Sequence, residues 1–324
     1  MQKHIDIAAI GECLIDFVPS FHQEPGRLNF TGCPGGAPAN VLACASKLGL
    51  NTAFIGKVGN DVFGKMLHST LKDSGIDTSS LILSDLYPTT LAFVSLDQSG
   101  DRSFSFYRRQ TADCMIMPEE IDEALLSSAR VFHFGSVSMT TEPARETTLF
   151  TVRQAKKQGA LISCDPNLRE LLWDSLPEAR EVILNALQYC DIVKVSEEEL
   201  VFLTQTGDID SALTRLFRQY ALKLLVVTMG RRGCKATFGR NTVTARGFDV
   251  ETVDTVGAGD TFWGAFLYQV LSGGVDLDNP DEESLYKALT FSNAAGGLST
   301  SKNGAIPAMP ALGEILGLIK RNAR

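Results

Sequence analysis

The amino-acid sequence predicts an α/β fold in which a mainly parallel central sheet is covered by helices on both faces. Short apolar segments rich in Val and Ile alternate with segments that have a helical period, and a glycine often follows the helical segment, as at Gly49, Gly75 and Gly159. Strands interleaved with helices are typical of parallel sheets, and glycine commonly ends a helix because it adopts a left-handed backbone at low cost. The 324 residues suit one large α/β unit, so we predict a single domain over residues 1–324.

The predicted elements alternate along most of the chain. A buried strand comes first, a helix that ends at Gly49 follows it, and this order then repeats. The expected strands cover residues 5–10, 52–58, 131–134, 161–164, 192–195 and 224–228, and the expected helices cover 39–48, 65–74, 142–158 and 209–220. This order implies a sheet enclosed between two layers of helices.

Two segments do not follow the alternation and predict a second, smaller sheet. Residues 90–107 alternate between apolar and polar side chains around Gln98-Ser99-Gly100-Asp101, which is typical of a β-hairpin with one apolar face. Residues 17–31 also lack a helical period. We expect the two segments, with bounds near 14–34 and 88–113, to pair as a small sheet inserted in the domain and to serve as a lid over a ligand. A surface hairpin without that role is the alternative.

Composition and charge exclude several classes of protein. The formal net charge is −8 at pH 7, so neither nucleic acid nor an acidic membrane surface is expected as a partner. The apolar run 5–18 contains Asp6, Glu12 and Asp16, which a signal sequence does not tolerate, and no uninterrupted run of about 18 apolar residues predicts a membrane span. The seven cysteines form no CxxC pair and the four histidines lack metal spacing, which indicates free thiols, no zinc site and a cytoplasmic location.

The most informative motif is Asp254-Thr255-Val256-Gly257-Ala258-Gly259-Asp260, which the apolar run 261–267 follows. It predicts a glycine-rich loop that enters a buried helix. Glycine lets the backbone approach a ligand, and the N–H groups of a first helical turn form an anion site. A carboxylate there would repel a phosphate unless it accepts a proton from the attacking group, so the motif indicates phosphoryl transfer with Asp260 as the base. An ordinary tight turn, with an Asp that complements the helix dipole, is the alternative.

A second glycine-rich helix start, Gly35-Gly36-Ala37-Pro38-Ala39-Asn40, indicates a site for a small polar ligand. Pro38 suits a first helical turn, and the paired glycines leave room for a ligand against the backbone. The Asn40 amide can donate to and accept from a hydroxyl. Asp16 follows the first predicted strand, where parallel sheets place their ligands, and could accept hydrogen bonds from neighbouring sugar hydroxyls. A purely structural turn and a solvated Asp are the alternatives.

Three further segments are polar or rich in small residues. In Asp165-Pro166-Asn167-Leu168-Arg169, which follows a strand, Arg169 could stabilise charge on a transferred phosphate, contact a sugar or pair with Asp165. Residues 227–233 run from a strand into a glycine-spaced loop that could hold a nucleotide. The small residues at 292–297 would let a flat base or a cation approach a helix.

Two familiar nucleotide-binding motifs are excluded. Residues 59–66 match G-x-x-x-x-G-K, but Met66 stands where a P-loop needs Ser or Thr to hold Mg²⁺. The pair Gly257 and Gly259 lacks the third glycine of the dinucleotide-binding fingerprint and lies far from the first strand. Neither a P-loop NTPase nor a Rossmann dehydrogenase is therefore predicted.

Together these motifs resemble those of the ribokinase-like, or PfkB, family of carbohydrate kinases over essentially the full chain. Residues 254–260 match the family's C-terminal signature and residues 35–40 match its N-terminal signature, in the right order. Within the family, residues 11–16, 35–40 and 165–169 are most similar to fructokinases. The resemblance implies a ribokinase-like three-layer α/β/α fold with a small β-sheet lid, and an ATP-dependent enzyme that phosphorylates a sugar hydroxyl.

The resemblance also implies roles for single residues. Asp260 would deprotonate the primary hydroxyl of the sugar. The anion hole for the γ-phosphate would be formed by the N–H groups of Gly257, Ala258 and Gly259. The sugar would be held by Asp16, Gly35, Gly36, Asn40 and Arg169. The ATP site would be lined by Lys194, Thr228, Gly230, Gly233 and Asn293.

Two cations follow from the resemblance. The family commonly has a monovalent cation such as K⁺ beside the anion hole, and the backbone carbonyls near Asp254 and Val256 would be its ligands here. Glu199, in a polar cluster with Lys194 and Ser196, could hold the water shell of Mg²⁺. Many members carry Asn-x-x-Glu where this chain has Ser196 and Glu199, and fructokinase-like members often have Ser there.

D-Fructose, phosphorylated to fructose 6-phosphate, is the substrate that the resemblance favours. Kinases of 2-keto-3-deoxygluconate, aminoimidazole riboside or ribose are alternatives on the same machinery. The segment Tyr107-Arg108-Arg109 supports the acidic sugar, 2-keto-3-deoxygluconate, as an alternative, because an arginine could pair with its carboxylate. A non-catalytic sugar or nucleotide sensor is the distant alternative, and an intact Asp260 argues against it. Exposed edges of the lid could pair two chains into a homodimer.

Overall fold

The computed structural model of this protein describes residues 4–19, 28–96 and 102–322. Strands and helices alternate over most of this length. In chain order the elements are β1 (Ile5–Ile10), β2 (Leu14–Pro19), β3 (Phe30–Gly35), α1 (Ala37–Lys47), β4 (Thr52–Gly59), α2 (Val62–Asp73), β5 (Ile76–Asp77), β6 (Leu81–Ser84), β7 (Leu91–Leu96), β8 (Arg102–Tyr107), α3 (Glu123–Ser128), β9 (Ala129–Phe134), α4 (Ala144–Lys157), β10 (Leu161–Cys164), α5 (Leu176–Leu187), β11 (Ile192–Ser196), α6 (Glu197–Thr204), α7 (Ile209–Gln219), β12 (Leu224–Thr228), β13 (Cys234–Phe238), β14 (Asn241–Ala245), α8 (Ala258–Leu271), α9 (Glu282–Ser299) and α10 (Leu312–Asn322).

The large sheet is mainly parallel, as predicted. Its strands follow the order β14-β13-β12-β11-β10-β9-β1-β4-β5, and β6 also pairs with β4. Every pair from β12 to β5 is parallel, whereas β13 and β14 extend one edge as an antiparallel hairpin. The carboxyl ends of the parallel strands therefore lie along one side of the sheet, where folds of this class place their ligands.

Side chains alternate across the central strands and supply two separate cores. On β1, Ile7 and Ala9 belong to the core that packs against α1 and α8, whereas Ala8 and Ile10 belong to the core on the opposite face. All four are buried. Because successive residues of a strand point to opposite faces, such a wholly apolar strand requires helices on both sides. The α/β/α layering predicted from the sequence is confirmed.

A separate sheet of four strands is formed in the order β3-β2-β7-β8. Strand β2 pairs antiparallel with β3 and parallel with β7, and β7 and β8 form the predicted hairpin. The predicted second sheet is therefore present. The expected turn at 98–101 and residues 20–27 of the expected lid segment 14–34 lie outside the described residues.

One helix begins earlier than the sequence predicts, for an identifiable reason. Helix α2 begins at Val62 and not at residue 65, because the Asp61 carboxylate accepts hydrogen bonds from the N–H groups of Phe63 and Gly64 and so starts the helix earlier. The same carboxylate bonds the N–H groups at the start of the helix within residues 59–66, the segment that matches a P-loop only in part. The elements that were not predicted are α3, α5, α6, α10, β5, β6, β13 and β14. Within residues 4–19, 28–96 and 102–322, no helix combines the length and the apolar character needed to cross a bilayer.

Candidate active site

A cavity of about 670 Å³ opens between the small sheet, the carboxyl side of the large sheet and the starts of α1 and α8. Its walls come from segments that are far apart in the sequence. The lining residues are Glu12, Leu14, Asp16, Val18, Pro19, Thr31, Cys33, Pro34, Gly36, Ala37, Asn40, Val94, Phe106, Val137, Asn167, Arg169, Leu172, Lys194, Asp254–Asp260, Asn303, Gly304 and Ala305. The apolar side chains of the small sheet thus face a polar floor, which suits a ligand with both hydroxyl groups and carbon faces.

The start of α8 requires glycine at position 257. The backbone there has φ of 74°, and a Cβ atom would lie 2.7 Å from Cβ of Ala305. Because α8 begins at Ala258, the N–H groups of its first turn have no carbonyl one turn earlier in the helix, and they face the cavity. The Ala258 N–H donates to the carbonyl oxygen of Thr255 at 3.3 Å. The Ala258 N–H therefore has a partner in this structure, and the expected anion hole at Gly257, Ala258 and Gly259 stays a prediction.

Asp260 lies in that first turn and is buried. Its Oδ2 accepts a hydrogen bond of 2.8 Å from Nδ2 of Asn40 in α1. Burial, together with the negative charge of Asp165, raises the pKa of Asp260 to about 6, against the opposing effects of Asn40 and of the Lys194 ammonium. A carboxylate with such a pKa is ionised near neutral pH and still basic enough to accept a proton.

Lys194 lies next to the same helical turn, at Gly259. Its ammonium is 2.7 Å from Oδ2 of Asp165, and both side chains are buried. A Cβ atom at Gly259 would lie 3.0 Å from Nζ of Lys194, so the glycine leaves space for the ammonium. The ion pair with Asp165, one of the three roles left open for Arg169, is not the one that forms, since Asp165 is paired with Lys194.

The Glu199 carboxylate is bonded through both oxygens. Oε1 accepts from the N–H of Leu168 at 2.7 Å, and Oε2 accepts from the N–H of Ser196 at 2.7 Å. These contacts hold the 165–169 loop beside the start of α6. Burial raises the pKa of Glu199, and the Asp165 charge adds to this effect. Its expected role as a magnesium ligand through water stays a prediction.

Asp16 lies on β2 of the small sheet, within the expected lid segment 14–34, and not at the carboxyl end of a strand of the large sheet. The chain continues from β1 into a second strand because Leu14, Ile15 and Phe17 offer it apolar side chains on both faces. Asp16 still lines the cavity. Burial raises its pKa to about 6, the Arg169 guanidinium lowers it, and Asp260 raises it further.

Gly35 and Gly36 allow β3 to turn tightly into α1. Gly36 has φ of 125°, and a Cβ atom there would lie 2.3 Å from the carbonyl oxygen of Glu12. At Gly35 a Cβ atom would lie 2.4 Å from Oδ2 of Asp16. Gly36, which lines the cavity, is therefore required by its backbone, whereas Gly35 lies outside the described lining and leaves space for the Asp16 carboxylate.

The residues expected around the nucleotide divide into two groups. Lys194 lines the cavity, whereas Thr228, Gly230, Gly233 and Asn293 lie outside its described lining. The Asn293 amide donates to the carbonyl oxygens of Ala245 and Arg246, both at 3.1 Å, and the Thr228 hydroxyl lies 3.4 Å from the carbonyl oxygen of Val195. Thr228 ends β12, Gly230 and Gly233 follow it, and Asn293 lies on α9. The nucleotide-binding role of these four residues stays a prediction.

The Asp254 carboxylate joins two loops at the cavity wall. Oδ1 accepts from the N–H of Val256 at 3.1 Å and Oδ2 from the N–H of Gly304 at 3.0 Å. The expected cation ligands at Asp254 and Val256 therefore lie in a backbone segment that is fixed next to the start of α8. Among the described residues no group of three or more His, Cys, Asp or Glu side chains could hold a metal ion by itself.

Two charged residues of this region were missed or misread in the sequence. Glu12 lines the cavity and is buried, and its Oε1 caps α1 by accepting from the Ala37 N–H at 2.8 Å. Only its position in an otherwise apolar segment could have indicated a role. Arg108 was a candidate partner for the carboxylate of an acidic sugar. Its side chain is buried and bonded to Asp113, so it does not face the cavity as a free cation. Arg109 is exposed and lies outside the described lining.

Comparisons with known proteins agree with this geometry. A family model described as pfkB family carbohydrate kinase matches residues 4–312. Fructokinase-1 of Zea mays is 43% identical over 321 residues, which cover 97% of this chain and 98% of that protein. The structure of fructokinase from Xylella fastidiosa with bound ATP superimposes with a TM-score of 0.91 at 34% identity and covers 100% of both chains. A fructokinase double mutant from Vibrio cholerae O395, in its fructose, ADP and potassium ion bound form, gives a TM-score of 0.87 at 31% identity over 98% of this chain and 99% of that one. The resemblance predicted from the motifs is confirmed.

Proposed function

This chain belongs to the pfkB family of carbohydrate kinases, and from that premise we propose that it transfers the γ-phosphate of ATP to the primary hydroxyl of D-fructose, giving fructose 6-phosphate and ADP. Support for fructose comes from the names of the full-length relatives, which are fructokinases at 43% identity. Arg108 is paired with Asp113 and is not a free cation at the cavity, which weakens the alternative that the substrate is the acidic sugar.

The observation that carries the proposal is the position of Asp260, a buried carboxylate held by Asn40 in the first turn of a glycine-started helix at the cavity floor. In the proposed step, a carboxylate oxygen of Asp260 takes the proton of the sugar hydroxyl. The freed oxygen lone pair attacks the γ-phosphorus, and the bond between that phosphorus and the β,γ-bridging oxygen breaks. The N–H groups of Gly257, Ala258 and Gly259 and the ammonium of Lys194 then stabilise the charge on the transferred group.

The sugar would occupy the part of the cavity between the small sheet and α1. Asp16 and Asn40 would bind its hydroxyl groups, the glycines at 35 and 36 would leave space for its ring, and Arg169 would face it from the loop after β10. The electrostatic influence of Arg169 on both Asp16 and Asp260 supports its position between them. Removal of the Asp16 carboxylate should therefore mainly change the KM for the sugar, and removal of the Asp260 carboxylate should mainly change kcat.

Two cations would assist ATP. Mg²⁺ usually keeps several waters and binds through one or two carboxylates plus substrate phosphates, which fits a site where the described carboxylates do not form a cage. Glu199 would contact its water shell, and the ion would neutralise phosphate charge. A monovalent cation such as K⁺ would bind the carbonyl oxygens near Asp254 and Val256, in the segment that the Asp254 carboxylate holds in place.

The small sheet would act as a lid and as a contact between two copies of the chain. Its inner face supplies Val94 and Phe106 to the cavity, which would exclude water from the phosphoryl group. On its other face Phe17 and Phe93 are half-buried and stack with ring centroids 4.8 Å apart, and Tyr107 is exposed. The exposed Tyr107 and the two edge strands β3 and β8 favour a homodimer, which sedimentation can test. The seven free cysteines, six of them buried, fit a reducing compartment such as the cytoplasm.

The experiment that tests the proposal is a coupled ADP-release assay with ATP and Mg²⁺. The candidate sugars are fructose, ribose, 2-keto-3-deoxygluconate and aminoimidazole riboside, each with and without K⁺. Turnover that is fastest on fructose by kcat/KM supports the substrate. Faster turnover on another sugar keeps the mechanism and rejects fructose. Nucleotide binding without turnover on any of the four would favour a sensor.

A further inference from the structure

A buried guanidinium joins the small sheet to the rest of the molecule. Arg108 directly follows β8, and its side chain is only 5% exposed. Its Nε donates to Oδ2 of Asp113 at 2.7 Å, its Nη1 to Oγ1 of Thr140 at 2.6 Å and its Nη2 to the carbonyl oxygen of Val137 at 3.0 Å. One side chain thus binds the end of the hairpin to two different segments of the main domain.

Asp113, the partner of Arg108, also binds the other end of the hairpin, at Thr90 before β7. Oδ1 of Asp113 accepts hydrogen bonds from the hydroxyl groups of Thr90 at 2.5 Å and Thr111 at 2.8 Å. Thr90 directly precedes β7, and its carbonyl oxygen accepts from the N–H of Ile15 on β2. Both connections of the β7–β8 hairpin, and the neighbouring strand, therefore converge on the pair of Arg108 and Asp113.

The other side of the network is the wall of the cavity. Val137 lines the cavity from the turn after β9, and Phe106 lines it from β8, two residues before Arg108. The Arg108 guanidinium binds the Val137 carbonyl, so it fixes the distance between the small sheet and the wall that the sheet faces. Arg108 itself is outside the described lining, so any effect on the ligand must act through these neighbours.

Burial of a charged pair is not a stabilising feature by itself, because desolvation offsets most of the attraction between the two charges. A planar guanidinium with three fixed partners does supply geometry, which a more flexible cation would not. We propose that Arg108 is a positioning residue that sets the small sheet over the cavity, and thereby controls sugar affinity and the exclusion of water from the phosphoryl group. This inference rests on the proposed kinase function for its kinetic readout only.

The test compares three variants of the full-length protein. Arg108→Lys keeps the charge but cannot bind three partners in one plane, and Thr140→Val removes one acceptor with little change in shape. Arg109→Lys is the matched control, because the neighbouring arginine is exposed. A thermal melt for each variant shows that the folded state is retained.

The structural readout is the alkylation rate of Cys33, which needs no substrate. Of the seven cysteines, all within the described residues, Cys33 is the one that is not buried, and it lines the cavity on β3 of the small sheet. Iodoacetamide should react at least about threefold faster with Cys33 in Arg108→Lys, because a weaker anchor lets the sheet open more often. Thr140→Val should show a smaller increase, and Arg109→Lys should match the wild type.

The kinetic readout is the ratio of ATP hydrolysed to sugar phosphorylated. With the sheet displaced, water attacks the γ-phosphorus, and ADP and phosphate are released. The ratio of ATP hydrolysed to sugar phosphorylated and the KM for fructose should therefore each rise at least about threefold in Arg108→Lys. The KM for ATP should change less than about twofold. A folded Arg108→Lys with unchanged Cys33 alkylation would overturn the inference. A wild type that does not phosphorylate fructose would reject the proposed substrate and leave the alkylation test decisive for Arg108.

Discussion

Asn40 donates a hydrogen bond of 2.8 Å to Asp260 across 220 residues of sequence, and this bond joins the starts of α1 and α8. The two helices can approach closely because residue 264 is a glycine. A Cβ atom there would lie only 2.6 Å from the carbonyl oxygen of Val41. The amide nitrogen of Asn40 donates to the ionised form of Asp260, which favours the state that can accept a proton. The two glycine-rich motifs therefore form one site, in which the sugar-side motif adjusts the base of the other.

The first prediction concerns Asp260→Asn. The amide has the same shape but cannot take the proton of the sugar hydroxyl, so kcat should fall about 10²–10⁴-fold, the usual contribution of general-base assistance. The dissociation constant for the sugar should change little, since Asp16 and Asn40 remain. Steady-state kinetics and calorimetric titration of the sugar measure the two quantities.

A matched control for this substitution is Asp73→Asn, at an exposed carboxylate at the end of α2. It should keep full activity. An Asp260→Asn variant with near wild-type kcat would remove Asp260 from the role of base.

The second prediction is a pH dependence of kcat. Asp260 must be ionised to act, and burial raises its pKa to about 6, so kcat should fall about tenfold per pH unit well below pH 6 and be constant above pH 7. The hydrogen bond from Asn40 lowers this pKa, so Asn40→Ala should move the acid limb to higher pH. An acid limb that moves to lower pH, or does not move, would contradict the proposed coupling.

The sequence predicts best those features that depend on local backbone. Gly257 and Gly36 are required by their own conformation, and Asp260 and Asn40 are recognisable because each follows such a glycine at the start of a helix. The parallel sheet is equally readable, because wholly apolar strands need two covered faces.

The features that the sequence does not predict depend on which segments meet in space. Arg108 is adjacent to an exposed arginine in the sequence, yet it is buried because Asp113 and the turn after β9 come to it. Asp165 pairs with Lys194, 29 residues away, and not with the nearer Arg169. Charged side chains have many available partners, and only tertiary packing selects one.

The third prediction concerns the buried pair of Lys194 and Asp165. Removal of one partner leaves the other charge buried without its hydrogen-bonded partner, so Lys194→Met and Asp165→Asn should each lower the free energy of unfolding by about 3–5 kcal/mol. The double substitution should cost clearly less than the sum, because the attraction between the two groups is then lost only once. Urea denaturation of the four proteins measures this coupling. Additive effects would show that the two groups do not stabilise each other.

The fourth prediction uses two glycines with the same backbone. Gly257 has φ of 74° and Gly159 has φ of 75°, but a Cβ atom at Gly257 would lie 2.7 Å from Ala305, whereas at Gly159 it would meet no described atom within 4 Å. Substitution of Gly159 by Ala should cost 1–2 kcal/mol, on the order expected for a left-handed alanine, and Gly257→Ala should cost more because of the contact with Ala305. Only Gly257→Ala should also lose activity, by roughly 10²-fold, because it displaces the anion hole. Equal kcat values in the two variants would separate Gly257 from phosphate binding.

The last prediction concerns stability and Glu12. Burial raises the pKa of Glu12 to about 7 from an ordinary value of 4.5, against the hydrogen bond from Ala37 and the charge of Arg108. Between these two values the folded state binds more protons than the unfolded state, so the contribution of Glu12 to the free energy of unfolding is greatest below pH 4.5 and declines as the pH rises to about 7. Glu12→Gln removes this titration. Its free energy of unfolding should therefore gain on that of the wild type by on the order of 2–3 kcal/mol between pH 5 and pH 8 in urea denaturation. Glu119→Gln, at an exposed side chain, is the control and should show no such gain. A difference between Glu12→Gln and the wild type that is independent of pH would mean that Glu12 does not titrate in this range.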